Sequence, residues 1–185
     1  MLSAKNLGKR LGPRWLFRNL EFELGIGDAL LITGPNGSGK STLLRCLCGL
    51  ESLSEGSVTS GPLGLAAIDQ AVYPDLTCQE HIDLMVDLRG TGDRNALDLV
   101  NLKYAANLPA QKLSSGMRAR LKLAMAVLHA PNVLLLDEHS ATLDAPGIEL
   151  VENLIAEQLK RGCLIIATND PNERRLANQE ISLEV

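Results

Sequence analysis

The sequence predicts an α/β fold around a largely parallel sheet. Three features of its 185 residues lead there. Short continuous apolar runs at 29–33, 63–69, 133–137 and 163–168 have the length and composition of strands buried on both faces. Stretches with helical spacing separate them, and Gly or Pro punctuates most boundaries. Strands alternating with helices fit a parallel sheet with crossover helices.

In chain order, Leu16, Phe17, Leu20, Phe22 and Leu24 read as part of an antiparallel strand pair, near a turn marked by Gly25, Gly27 and Asp28. After the 29–33 strand and a glycine-rich loop, a helix is expected over 41–50, ending near Gly49. Residues 76–104 read mostly as helix, with a break at Gly90–Gly92. A helix over 117–129 stops before Pro131. Another spans 148–160 and is amphipathic, with Gly162 beyond it. Residues 181–185 are expected to form a last edge strand.

Composition sets the class. At 45% hydrophobic and 22% charged, the chain suits one soluble globular domain over residues 1–185. Its net charge of −4 argues against a basic nucleic-acid surface, so no nucleic-acid partner is expected. No apolar run approaches the ~20 residues that span a bilayer. The N-terminal residues lack the apolar core of a signal peptide. Cys46, Cys48, Cys78 and Cys163 show no C-x-x-C spacing and are read as reduced thiols of a cytosolic protein.

Residues 34–41, Gly34-Pro35-Asn36-Gly37-Ser38-Gly39-Lys40-Ser41, fit G-x-x-x-x-G-K-[ST] between a predicted strand and a predicted helix. That context identifies a phosphate-binding loop. Glycines let backbone N–H groups turn inward, and the helix N-terminus adds partial positive charge. Lys40 reaches the β and γ phosphates, and Ser41, followed by Thr42, ligates Mg²⁺. Asp137 and Glu138 end the 133–137 strand. There Asp137 holds the metal shell and Glu138 polarises the attacking water. The two motifs together indicate a P-loop NTPase.

Further motifs select among such enzymes. Leu113-Ser114-Ser115-Gly116-Met117 resembles the LSGGQ signature of the ABC ATPases, and Ser140 to Asp144 resembles their D-loop. Gln70 resembles the Q-loop glutamine, and Asn169 falls where that family has its switch histidine. In order and spacing the resemblance to the ABC nucleotide-binding domain covers nearly the whole chain. It implies a RecA-like core, an N-terminal antiparallel β region and a helical subdomain at about 71–118. It implies ATP and Mg²⁺ as cofactors, with Gln70 joining Ser41 and Asp137 around the metal. Glu138, Gln70 and Asn169 become the catalytic set. Ser114 and Gly116 are expected to face the γ-phosphate bound by a second subunit, in a homodimer or a pseudo-symmetric heterodimer.

The departures are specific. Ser115, Met117, His139 and Asn169 stand where the family has glycine, glutamine, proline and histidine. Leu11 takes the place of the aromatic that stacks on adenine; Trp15 is the other candidate, although a lone Trp beside an apolar strand usually belongs to the core. His139 is an alternative source of the missing imidazole. His81 and His129 read as surface or capping residues, and Asp87-Leu88-Arg89-Gly90 as a chance match to the GTPase DxxG.

Tyr73-Pro74-Asp75-Leu76-Thr77-Cys78-Gln79-Glu80-His81 followed by Leu88-Arg89-Gly90, in the short stretch between Gln70 and Leu113, is similar to small exporter ATPases, such as those of haem export in cytochrome c maturation or of ABC-2 drug export. The resemblance implies an integral membrane partner and a peripheral place on the cytoplasmic face of the membrane. Gln70, Val72, Tyr73 and Pro74 are expected to dock that partner. A soluble ABC ATPase and a degenerate regulatory subunit are the readings left open beside it.

Overall fold

Two sheets divide the strands of the computed structural model, which describes residues 2–183. Strands β1 (Leu2–Leu11), β2 (Arg14–Leu24) and β4 (Glu55–Ser60) form an antiparallel sheet in the order β2-β1-β4. The β1–β2 hairpin turns at Gly12, and the Gly25–Asp28 turn carries the chain onward to the second sheet. Sequence reading missed β4, because Glu-Gly-Ser-Val-Thr-Ser has little strand propensity and forms only against β1.

The second sheet is wholly parallel, in the order β5-β6-β7-β3-β8. Its strands are β3 (Ala29–Thr33), β5 (Leu63–Ala67), β6 (Val133–Asp137), β7 (Cys163–Ala167) and β8 (Gln179–Ser182). Every residue of β6 and β7 is buried, which explains their unbroken apolar runs. Strand β8 lies at the edge beside β3; residues 184 and 185 of the expected last strand fall outside the described residues.

Helix α1 (Lys40–Leu47) packs between the two sheets through Leu43, Leu44 and Leu47. Between β5 and β6 come α2 (Cys78–Arg89), α3 (Ala96–Leu99) and α4 (Ser115–Val127), with short 3₁₀ turns. Helix α2 opens with a capping box, Thr77 and Glu80, and closes at Gly90 in the left-handed region, φ 70°. The D-x-x-G stretch is therefore a helix end. Helix α5 (Ala145–Leu159) begins three residues earlier than expected because Asp144 caps it, accepting from Gly147 N at 3.1 Å.

Three expectations are corrected. His81 is 2% exposed rather than at the surface. Its Nδ1 donates to Thr77 O at 2.7 Å and its Nε2 accepts from Tyr73 N at 3.0 Å, fixing the loop before α2. Trp15 is half-buried rather than core: its ring lies against Gly8, with the Arg18 guanidinium 4.5 Å from its centroid. The expected 76–104 helix breaks at Gly90–Gly92 as read, but it breaks a second time after Leu99, where Asn101 takes φ 50° in the left-handed region.

Candidate active site

The candidate residues gather at the C-terminal edge of the parallel sheet, where β3, β5, β6 and β7 end beside one another. Such an edge is where ligands bind in open α/β sheets. Strand β3 delivers Gly34 to Gly39, β5 leads to Gln70, β6 ends at Asp137 and Glu138, and β7 leads to Asn169.

Gly34 is required by space as well as by conformation, whereas Gly37, at φ 81°, has open space around it. A Cβ on Gly34 would lie 2.4 Å from Leu183 O and 2.7 Å from Ser38 Oγ. Gly39 sits at φ 103° as the N-cap of α1 and supplies no side-chain cap. The first N–H groups of α1 are thus left without a side-chain acceptor. Lys40 is 6% exposed and donates through Nζ to Gly34 O at 2.7 Å, curling back over the loop. Pro35, Asn36 and Gly37 are exposed, Ser41 is exposed and Thr42 is half-buried.

Three buried polar atoms in this region have no hydrogen-bond partner: Ser38 Oγ, Gln70 Oε1 and Asp137 Oδ1. Unpartnered buried groups are costly, so their clustering marks a place built for something polar. Burial pushes the Asp137 carboxyl up; the Glu138 charge adds to this, while the Ser41 hydroxyl, Lys40 and Arg45 pull it back. Glu138 has φ 46°, an unusual conformation for a glutamate, held by its N–H donating to Ala167 O at 2.9 Å. This turns the chain out of β6 directly after Asp137.

Asn169 is exposed and donates from Nδ2 to Asn36 Oδ1 at 2.8 Å, joining the end of β7 to the phosphate loop. The turn leading to Gln70 is tied to two helices: Arg45 of α1 pairs with Asp69, and Lys122 of α4 donates to Ile68 O. Sequence reading passed over both cations, because neither belongs to a motif.

Ser114 and Gly116 lie at the start of α4, where a Cβ on Gly116 would come 3.3 Å from Thr142 O. Ser114 is exposed and caps α4, accepting from Met117 N at 3.2 Å. Among the described residues no hydrogen bond joins Ser114 or Gly116 to the phosphate loop. Leu11, 54% exposed, lies at the β1–β2 hairpin. His139 lies behind Glu138 with its Nε2 3.8 Å from Glu173 Oε1. Its burial lowers the imidazole pKa, and Glu173 opposes that.

The sequence profile of the ABC transporter family matches residues 17–141. The cytochrome c biogenesis ATP-binding export protein CcmA of Gluconobacter oxydans is 36% identical over 173 residues, 92% of this chain and 82% of that protein. The protein of the same name from Nitrobacter winogradskyi is 36% identical over 179 residues, 90% of each chain. Among solved structures, the dimeric ATP-binding cassette MJ0796, in a post-hydrolysis state with ADP and Pi, matches with a TM-score of 0.89 at 24% identity, over 100% of this chain and 96% of that one. An inward-facing ABC transporter described as metal-chelate type matches with a TM-score of 0.84 at 26% identity, over 98% of this chain and 79% of that one. The P-loop α/β fold expected from the sequence is the fold of these structures.

Proposed function

This chain belongs to the ABC transporter ATP-binding family, and we propose that it is the ATP-hydrolysing subunit of an exporter that drives a separate membrane protein. The observation that carries this is the cluster of unpartnered buried atoms, Ser38 Oγ, Gln70 Oε1 and Asp137 Oδ1, beside an uncapped helix N-terminus. Together they suit a triphosphate with its cation better than any contact within the chain.

Each residue has a separate task. Lys40 leaves the Gly34 carbonyl for the β and γ phosphates, and the backbone of residues 34–39 encloses them. Ser41, Asp137 and Gln70 would hold Mg²⁺, and Asp137 already has an oxygen to offer. When bound, that ion neutralises phosphate charge as a Lewis acid. Glu138 accepts a proton from the attacking water, and Asn169 donates a hydrogen bond toward the γ-phosphate. Thr42 supports the loop, and Leu11 lies under the base.

The exposed Ser114 and the half-buried Gly116 serve a second copy or a related subunit, completing the pocket across a dimer. The helical stretch 71–118 acts as a lobe that moves against the core. Its Tyr73, 59% exposed, with Val72, Pro74 and the adjoining Gln70, offers an apolar edge to the membrane partner. Export in cytochrome c biogenesis is the role carried in the names of the curated relatives and supports this direction; haem as the cargo and a peripheral seat on the cytoplasmic face of the membrane belong to the same proposal.

Phosphate release by the purified chain tests the ATPase reading, and size-exclusion chromatography of Glu138→Gln with ATP and Mg²⁺ tests the dimer. Glu138→Gln is expected to bind ATP, turn over slowly and accumulate as a dimer. A variant that binds ATP but stays monomeric at high concentration rejects the shared pocket; a wild-type chain that binds no ATP rejects the function.

A further inference from the structure

Glu173 carries a carboxylate that nothing in the proposed mechanism uses. Its side chain is 7% exposed, and both of its oxygens are buried without a hydrogen-bond partner. The cations nearest in sequence are engaged elsewhere: Arg174 pairs with Glu180 at 3.0 Å, and Arg175 pairs with Glu152. The group that faces it is the imidazole of His139, 9% exposed, with Nε2 3.8 Å from Glu173 Oε1 and Nδ1 likewise unpartnered. A contraction of about 1 Å would bring the two within the ~2.9 Å of a hydrogen bond.

The positions of the two residues give the contact its meaning. His139 directly follows Glu138, at the strained exit from β6. Glu173 sits in the 3₁₀ turn Pro171–Leu176, which begins just after Asn169 and is capped by Asp170. The contact therefore spans the two segments that carry the water-activating carboxylate and the amide facing the phosphate loop.

We propose that His139 and Glu173 are a positioning pair: the carboxylate holds the imidazole at Nε2 and locks Glu138 and Asn169 into one unit, so that contact of Asn169 with nucleotide sets the position of Glu138. The proposal rests on the ATPase reading above. It gives His139 a role other than replacing the switch histidine, since the imidazole faces Glu173. A buried partner that orients a functional residue acts on turnover more than on binding.

The test is a double-mutant cycle of His139→Ala, Glu173→Ala and the double variant, with Glu173→Gln as the conservative replacement. Each alanine variant is expected to lower kcat about tenfold with KM for ATP within about twofold, and the double variant to be no worse than either single one. Glu173→Gln keeps an acceptor for Nε2–H and is expected to retain most of kcat. Nitrogen spectra of the imidazole, assigned with His139→Asn, are expected to show the proton at Nε2 in the wild type and its redistribution in Glu173→Ala. Independent, multiplicative losses in kcat, or a spectrum indifferent to Glu173, overturn the pair. If the alanine variants do not fold, Glu173→Leu and His139→Asn are carried through the same cycle with the same criteria. A wild type that binds ATP but releases no phosphate removes the ATPase reading and the positioning role with it. An active wild type with an additive cycle removes only the pair.

Discussion

The N-termini of α1 and α4 both carry residues assigned to phosphate, yet they are built in opposite ways. At α1 the first residue, Lys40, is buried, the helix is wedged between two sheets, and no side chain caps it. At α4, Ser114 is exposed and spends its hydroxyl on capping its own helix. An uncapped, buried terminus leaves its N–H groups for an anion. A capped, exposed terminus is satisfied in isolation and offers only a surface. The difference teaches that the α1 terminus leaves its N–H groups without a side-chain acceptor, whereas the α4 terminus is already capped by its own serine.

The sharpest way to break that comparison is at Lys40. Lys40→Ala removes charge-assisted bonds worth about 1.5–3 kcal/mol each, so ATP affinity is expected to fall about 100-fold and turnover to reach background. Binding titration of the isolated chain measures it; retained affinity would show that the α1 site is not the phosphate site.

Next comes Ser114→Asp. Aspartate still caps α4 but sets a negative charge against the γ-phosphate of the opposing subunit. A like-charge penalty of about 2 kcal/mol slows turnover roughly 30-fold. ATP binding by the single chain should be unchanged. Equal losses in both would mean that Ser114 contacts nucleotide within its own chain.

Leu11→Tyr refines the α1 side. The wild type, with an aliphatic residue at the hairpin, is expected to bind ATP and GTP within about tenfold of each other. A base stack is worth about 1–3 kcal/mol, and at an exposed edge the lower end should apply, so the tyrosine tightens ATP binding about fivefold. Competition of the two nucleotides in both proteins checks this. Trp15, already covered by Arg18, should show little fluorescence quenching by nucleotide.

The smallest effect is expected at Asn169→His. The amide donates a neutral hydrogen bond, and an imidazole that carries charge adds about 1 kcal/mol in the transition state, or roughly fivefold in kcat. The variant also loses the 2.8 Å bond to Asn36 Oδ1. Turnover under saturating ATP measures the result; a fall in kcat would show that the Asn169–Asn36 link matters more than imidazole chemistry.

The core strands were legible because burial on both faces leaves a run such as Val133–Leu136 no polar position. The phosphate loop was legible because its glycines, lysine and serine are consecutive, so the geometry is local. Less was legible where pairing decides structure: Glu55–Ser60 becomes a strand only beside β1, and α5 gained a turn from the Asp144 cap. His81 looked like a surface residue because its two partners, Thr77 and Tyr73, are backbone groups that no motif records.

The sequence by itself determined the parallel α/β core, the phosphate loop and the carboxylates at the end of β6, since each follows from residues adjacent in the chain. Only the tertiary structure decided which separate segments meet. The order β5-β6-β7-β3-β8 brings Gln70, Asp137, Glu138 and Asn169 to one edge. It joins Asn169 to Asn36 across 133 positions, and folding also closes Arg45 onto Asp69 and sets Glu173 against His139. The physical reason is that such contacts depend on strand order and on burial shared between distant segments, neither of which any local pattern of residues encodes.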